Sequence, residues 1–446
     1  MKAFFVRFVL VFIILVPLLD IVPQELANPA TPVDLSARGE YLSVKIAVVG
    51  PGDEIYFWWG HIGLVIEDTL SDTTLFFDWG VFSFDVDNFY LDFAFGRPVY
   101  SCLATPAEYS IAHYKNTNRD LVFYTLDLPS HAKTELLQFA QNNLLPENRD
   151  YRYHHFRDNC ATRVRDILDL ATGGAFFSAY GEAPGRFTLR QHIRRHTWFS
   201  PFWDWALSFW MGQDIDRPIS IWDEMFLPSE VGLRALDFSY TDSLGEERQF
   251  VSNIEIINQS INRPLPAAQA RQGWRGELIL GLIIALALVI AGIKASGLTL
   301  FSRNKTAEYI LSRRLYGTSQ ALLGLCFGIV GFLLFFLNVF TDHDYTFNNI
   351  NIIFINPLLL AAIPAGLIIA FSHNQKKRKK AALLLTILWS YVFLGGLLTI
   401  VLRYSPAPVF QQNQSALALI LPMAFGCIVT ATLPKLFPPQ KFRHKE

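Results

Sequence analysis

Cysteine is scarce in this chain. Of four in 446 residues, Cys326 and Cys427 fall inside long apolar runs, where they read as small apolar side chains. That leaves a single conceivable bridge, Cys102 with Cys160. An excess of charge of either sign is also missing: Lys and Arg number 38 against 39 Asp and Glu, a balance that argues against a general nucleic-acid binder. Internal repeats and low-complexity tracts are absent as well. Hydrophobic residues, by contrast, make up 51% of the chain, which points to a membrane protein.

Those apolar residues are unevenly placed. They concentrate in residues 3–22 and after about residue 276, whereas 24–275 has the mixed composition of a globular domain. The expected organisation is therefore an N-terminal transmembrane segment or signal anchor over 1–23, a soluble domain over 24–275, and a five-span transmembrane domain with a tail over 276–446. Lys2 and Arg7 precede the first apolar run, which matches either a cleaved signal peptide or a retained helix; its length favours retention. The later spans read as 277–293, 316–340, 352–371, 381–402 and 416–433. Two of their linkers are nearly bare of cations, since "TDHDYTFNNIN" has no Lys or Arg and "RYSPAPVFQQNQS" has only Arg403. The alternate linkers and the tail carry Lys294, Arg303, Lys305, Arg313, Arg314, the run "KKRKK" at 376–380, and Lys435, Lys441, Arg443 and Lys445. The cation-rich side is the cytoplasmic one, so both ends lie in the cytoplasm and 24–275 faces the periplasm from a bacterial inner membrane.

Within the exported domain, strand-like runs occur at 42–49, 61–67, 75–84, 97–103 and 120–128, and helix-like segments at about 105–116, 130–145, 160–171, 188–197 and 201–210. This order predicts an α+β domain, an antiparallel sheet with helices packed on one face, fused to an all-α transmembrane helix bundle. The stretch "NRPLPAAQARQG" at 262–273 reads as the linker into the membrane.

The chemistry is concentrated in "FRDNCATRVRD" at 156–166. Asp158 and Asn159 are good N-cap residues and "TGG" at 172–174 supplies a stop, so Cys160 opens a helix whose stripe of Val164, Ile167, Leu168 and Ala171 faces the sheet. Unsatisfied N–H groups and the helix dipole there favour a thiolate, which is a nucleophile. It needs a base. His61 in "WWGHIGLVIED" begins an apolar strand after a glycine and shares one face with Gly63 and Val65. Cys160 has two plainer readings, an inert buried thiol or a disulfide with Cys102. Asp78 in "FFDWG" is the natural group to orient His61, with an ordinary strand-end residue as the alternative. Asn159 is either a cap or an oxyanion donor, and the N–H of Cys160 can fill the latter role.

Further candidates contact substrate. Trp58 and Trp59, with Phe57, line an acyl groove or a core; Tyr153 and Arg163 lie close to the cysteine in sequence, where Tyr153, like His154 and His155, also reads as packing. Arg190 belongs to "RFTLRQHIRRHTWF", which leads into "SPFWDWALSFWMG". Aromatics and arginines at this density suit a lipid headgroup interface or packing against the spans. His192 and His196 have the spacing of helical metal ligands, but the glutamate of H-E-x-x-H is missing and two arginines intervene, so no metal is assigned. Among the amides around 348–356, His343 and Asn351 are the better candidates for contact with the catalytic domain, and the rest read as helix caps.

A histidine in "GHIGLVI" followed about a hundred residues later by "DNC" resembles the permuted papain-like thiol fold of the lecithin:retinol acyltransferase type. More closely, "FFDWGVFSFD", "FAFGRPVY", "LPENRDYRYHHFRDNCATRVRD", "FTLRQHI", "WMGQDIDRP" and "FTDHDYTFNNINIIFINPLLL" resemble the Lnb family of lipoprotein N-acyltransferases over nearly the whole length. The resemblance implies a permuted papain-like periplasmic domain, Cys160 as the acyl-accepting nucleophile and His61 as its base. The resulting expectation is an enzyme that needs no cofactor and moves an acyl chain from a membrane phospholipid, through a cysteine thioester, to the α-amino group of a diacylated lipoprotein. A membrane-bound cysteine hydrolase and a non-catalytic periplasmic assembly factor are the alternatives.

Overall fold

The sheet is built largely from short strands that are apolar on both faces. The computed structural model describes residues 38–83, 88–271, 273–296, 305–405 and 411–436; the apolar segment at 3–22 lies outside them. Strands β1 (Leu42–Val49), β2 (His61–Asp68), β3 (Thr73–Val81), β4 (Val99–Pro106), β5 (Leu121–Leu126) and β6 (Asp150–Arg152) are joined, after a small β7 (Ser239–Thr241) and β8 (Glu247–Gln249) hairpin, by β9 (Val251–Asn258). The main sheet has the order β6-β4-β3-β2-β1-β5-β9, and every pairing in it is antiparallel. β2 sits at its centre and is buried along nearly all its length.

Both faces are covered, which corrects the expectation of one. Ser130–Asn142 and Cys160–Ala171 pack over Val44, Ile46, Ile62, Leu64, Phe77 and Trp79. Ala107–Asn116 covers the opposite face through Ala107 and Tyr114 against Ala47, Val49, Val65 and Phe76. Strands buried on both sides are apolar at successive positions, as "IAVV" and "LVI" are.

Five apolar helices long enough to span a bilayer follow, over Arg275–Ala295, Glu308–Phe340, Ile350–Phe371, Gln375–Leu402 and Gln414–Thr432. Two begin earlier than hydropathy suggests: the second helix starts at Lys305 and the fourth at Gln375, so Arg313, Arg314 and the "KKRKK" run are helical rather than linker. A helix does not stop where its hydrocarbon contact stops. The third span is broken. Short 3-10 turns at Ile350–Ile353 and Pro357–Ala361 precede the α-helix Ala362–Phe371, with Asn349 and Asn356 capping the turns as the amide-rich sequence predicts.

The loop between the second and third spans is fastened to the sheet domain. Asp342 pairs with Arg97 at 2.9 Å and with Arg152, while Asp344 takes His154 at 2.7 Å and Arg157 at 3.0 Å. Deeper in, Asn349 Nδ2 donates to the carbonyls of Phe209 and Trp210 at 2.9 and 3.0 Å, and Asn351 Nδ2 donates to that of Phe209 at 3.0 Å. Phe209 is buried in the bundle's core, with Trp205 and Trp210 packed beside it. For these three rings, packing against the spans is the role observed, whereas Phe202 and Trp198 are exposed.

Candidate active site

Asn159 builds the start of the cysteine helix. Its Oδ1 accepts from the N–H groups of Ala161 and Thr162 at 2.8 and 2.9 Å, and Thr162 Oγ1 accepts from the N–H of Asn159 at 2.8 Å, a complete capping box. Both hydrogens of Nδ2 are also committed, to the carbonyls of His155 and Phe226. The side chain is thus a buried cap with no donor left for an oxyanion. The N–H of Cys160 itself finds no acceptor among the described residues. Asn159→Ala is expected to lower stability by about 1–2 kcal/mol, the usual cost of losing such a cap. Thermal unfolding monitored by fluorescence checks this; an unchanged midpoint with reduced turnover would instead assign the amide to the chemistry.

Cys160 is half-buried and free, as is the buried Cys102, so the two do not form a disulfide. Burial pushes the Cys102 thiol up to about 12.

His61 reaches the thiol from an unexpected side. Its strand face, shared with Val65, lies under Ala107–Asn116, whereas the cysteine helix covers the other face, with Ile62, Leu64 and Ile66. The imidazole comes near enough to interact with Cys160 because His61 is the first residue of β2, where a side chain can pass the end of the sheet. Gly60, at φ +81°, makes the turn into the strand. Gly80 lets the ring lie flat on the backbone: a Cβ there would stand 2.7 Å from His61 Cε1.

Asp78 is the third member. It pairs with Gly63 across β2 and β3, placing its side chain on the His61 face one pleat away. His61 Nε2 lies 2.9 Å from Asp78 Oδ1, an ion-pair contact off the line of a good hydrogen bond. Burial of the ring opposes its protonation, but the charges of Asp78 and Cys160 outweigh that and push the imidazole up to about 10. At neutral pH the histidine is therefore a cation.

Several tyrosines interact with Cys160, and two tryptophans lie on neighbouring segments. Tyr100 and Tyr153 stack at 4.2 Å, and burial raises both phenols, with the charge of Cys160 contributing. Tyr114 lies 6.4 Å, ring to ring, from His61. Trp59 stands edge-on to His155 at 5.0 Å, and its indole N–H has no acceptor among the described residues. Trp58 is a core residue: it is buried, donates to the carbonyl of Asp53 at 3.0 Å and packs on Phe199. Tyr100 and Tyr114 were not singled out from the sequence, although Tyr100 ends the quoted "FAFGRPVY".

Other candidates are committed elsewhere. Arg163 is bidentate to Asp158 at 2.7 and 3.0 Å and covers the Tyr151 ring. Arg190 is fully buried: it pairs with Asp216 at 2.8 Å and donates to the carbonyls of Ser208, Met211 and Gly212, so it has no surface for a headgroup. His343 Nε2 pairs with the carbonyl of Phe93 at 3.0 Å, and Asn351 is fully buried on Phe209 and Asn413. These two join the membrane domain to the sheet domain, the contact expected of them. His192 has both nitrogens taken, by Glu224 and Arg195, and His196 Nδ1 pairs with the carbonyl of His192.

Residues 34–194 match the family described as Lnb N-terminal periplasmic domain, and residues 282–435 the one described as Lnb transmembrane domain. The chain belongs to the Lnb family. In this Lnb protein the first match contains Cys160, His61 and Asp78, and the second contains the loop that fastens the domain to the spans. It is a multi-pass membrane protein with a periplasmic domain. No curated protein and no solved structure gives a significant match.

Proposed function

We propose that this protein is a lipoprotein N-acyltransferase of the inner membrane with Cys160 as its nucleophile. The observation that carries the reading is the convergence of Cys160, His61 and Asp78 at a helix N-terminus, in a periplasmic domain fastened to a bundle of membrane spans. A cation beside sulfur at a helix start favours the thiolate.

In the first half-reaction the sulfur attacks an ester carbonyl of a phospholipid. The carbon–sulfur bond forms and the bond to the glycerol oxygen breaks, with the imidazolium of His61 giving its proton to the departing lyso-lipid alcohol. With Nε2 against Asp78, Nδ1 is the nitrogen left for the sulfur side. The N–H of Cys160 is the donor available to the tetrahedral oxyanion. In the second half-reaction the neutral α-amine of a diacylglyceryl-cysteine lipoprotein attacks the thioester, His61 accepts the amine proton, and the carbon–sulfur bond breaks to restore thiolate and imidazolium. Tyr100, Tyr114 and Tyr153, which interact with Cys160, keep water from the thioester. Holding the site on spans confines it to the surface where both lipids lie, which raises their effective concentration.

Mass spectrometry of lipoprotein N-termini from cells with and without the protein tests this. The expected result is one additional amide-linked acyl chain when the protein is present. Free fatty acid without an acylated amine would indicate a hydrolase, and unchanged termini would remove the enzymatic reading.

The His61 shift fixes the alkaline limb of the pH profile. Its folded value, about 10, exceeds the ordinary 6.5, so the protonated acid is present at neutral pH and is lost as pH rises through about 10. Thioester formation is expected to hold to about pH 9 and fall tenfold per unit above about 10. The same shift stabilises the fold fully below 6.5, and that contribution disappears as pH rises through the folded value. Single-turnover acylation across pH 6–11 checks the limb; a fall centred near 6.5 would mean the ring is not held by Asp78 and Cys160.

A further inference from the structure

A cleft of about 610 Å³ opens on the flank of the bundle between the first, fourth and fifth spans, within the range of roughly 300–1,000 Å³ typical of ligand sites. Its walls are apolar, with Leu282, Phe393, Leu421 and Phe425 among them. Its rim is not: Trp274, Arg403 and Gln414 stand where the three helices begin or end.

The rim is on the periplasmic side. The fourth span starts with the "KKRKK" run and Arg403 follows its last residue, so Arg403 is at the end opposite the cytoplasmic cations. From Gln414 the cleft descends along the fifth span to Phe425, eleven residues of helix or roughly 16 Å at about 1.5 Å per residue. That is close to half of a hydrocarbon core of about 30 Å. The cleft therefore has the depth of one leaflet, the outer one.

Arg403 is the feature that separates this cleft from ordinary lipid-facing surface. One amino group, Nη2, donates to the carbonyl of Gln411 at 3.0 Å and to Asn413 Oδ1 at 2.5 Å, both neutral acceptors. Its Nε–H is buried without an acceptor, and no carboxylate lies within ion-pair distance among the described residues. A buried, unsatisfied guanidinium donor at the mouth of an apolar slot one leaflet deep calls for a ligand with an anionic head and a long apolar tail. Trp274 beside it suits the same boundary.

We propose that this cleft binds one glycerophospholipid of the outer leaflet, an acyl chain between the spans and the phosphate on Arg403. The segment holding Arg403 also grips the periplasmic domain: Gln411 Nε2 donates to the carbonyl of Met211 at 3.2 Å and the N–H of Gln412 to Asp216 at 3.1 Å. The bound lipid thus lies beside the seat of that domain. The proposal stands whether or not the domain transfers acyl chains.

Native mass spectrometry of the full-length protein released from phosphatidylglycerol nanodiscs tests it. One retained phospholipid per chain is expected, surviving activation that strips annular lipid. Diacylglycerol with the same chains, which lacks the phosphate, is expected to be retained at least tenfold more weakly. Arg403→Gln and the cleft-filling Leu421→Trp are each expected to reduce phospholipid retention about tenfold, and Arg403→Lys, which keeps the charge, to reduce it less. Retention by the wild type no higher than the annular background, or equal retention by wild type, Arg403→Gln and Leu421→Trp, would overturn the proposal. Loss in Leu421→Trp alone would overturn the assignment of the phosphate to Arg403.

Discussion

Cys160→Ser is expected to abolish thioester formation and N-acylation, lowering turnover on the order of 10³-fold or more while leaving the fold intact. A hydroxyl is nearly the same size as a thiol, so the half-buried site and the capping box, which is built from Asn159 and Thr162, remain as they are. What changes is the nucleophile. A serine hydroxyl is a far weaker acid and a poorer nucleophile than a thiol, so the same histidine cannot activate it to the same degree. Loss of a nucleophile in a catalytic unit has large, non-additive consequences, so Cys160→Ser combined with His61→Ala is expected to be no worse than Cys160→Ser alone. The measurement is covalent capture of a labelled acyl chain on the protein, followed by transfer to a diacylated lipopeptide. Acyl transfer at the wild-type rate by Cys160→Ser would end the proposed mechanism, and an unchanged cellular phenotype would favour a non-catalytic assembly role.

Arg190→Ala is expected to have the largest effect on stability, about 3–5 kcal/mol, because it strands a carboxylate inside the protein. Arg190 and Asp216 are both buried, and the guanidinium also holds three carbonyls at the C-terminal end of the tryptophan-rich helix, those of Ser208, Met211 and Gly212. Burial pushes the Asp216 carboxyl up, opposed by Arg190, and without that partner the group must take a proton or open the site to water. Arg190→Met with Asp216→Leu should recover part of the loss by removing both charges. Thermal unfolding in detergent, with unfolding followed by tryptophan fluorescence, gives the comparison. If Arg190 instead held a lipid headgroup, Arg190→Ala would raise KM with an unchanged midpoint.

The contrast between these two residues shows what could be read from the sequence. Cys160 was legible because its helix announces itself locally: a polar cap, an apolar stripe at helical spacing and a glycine stop within fifteen residues. Strands β1 to β5 were legible for the same reason, as alternation and flanking turn residues are short-range signals. β9 was not. It is an exposed edge strand of mixed composition, and its partner β5 lies more than a hundred residues earlier, so only the folded sheet reveals it. Arg190 was misread because an arginine among aromatics suits a lipid surface and a buried ion pair equally well, and the deciding carboxylate lies 26 residues on. The meeting of His61 and Cys160 around the end of the sheet was likewise hidden. Alternation correctly put His61 with Val65, but which face each helix covers is a tertiary choice.

The clasp formed by Asp342, Asp344, Asn349 and Asn351 ties the periplasmic domain to the spans at points other than its linker. The height and heading of Cys160 above the bilayer are thereby tied to the spans. If the proposed chemistry holds, each lipid diffusing in the plane of the membrane would meet the sulfur by the same approach. Cutting the clasp would leave every reacting atom in place and still cost the protein its bearings.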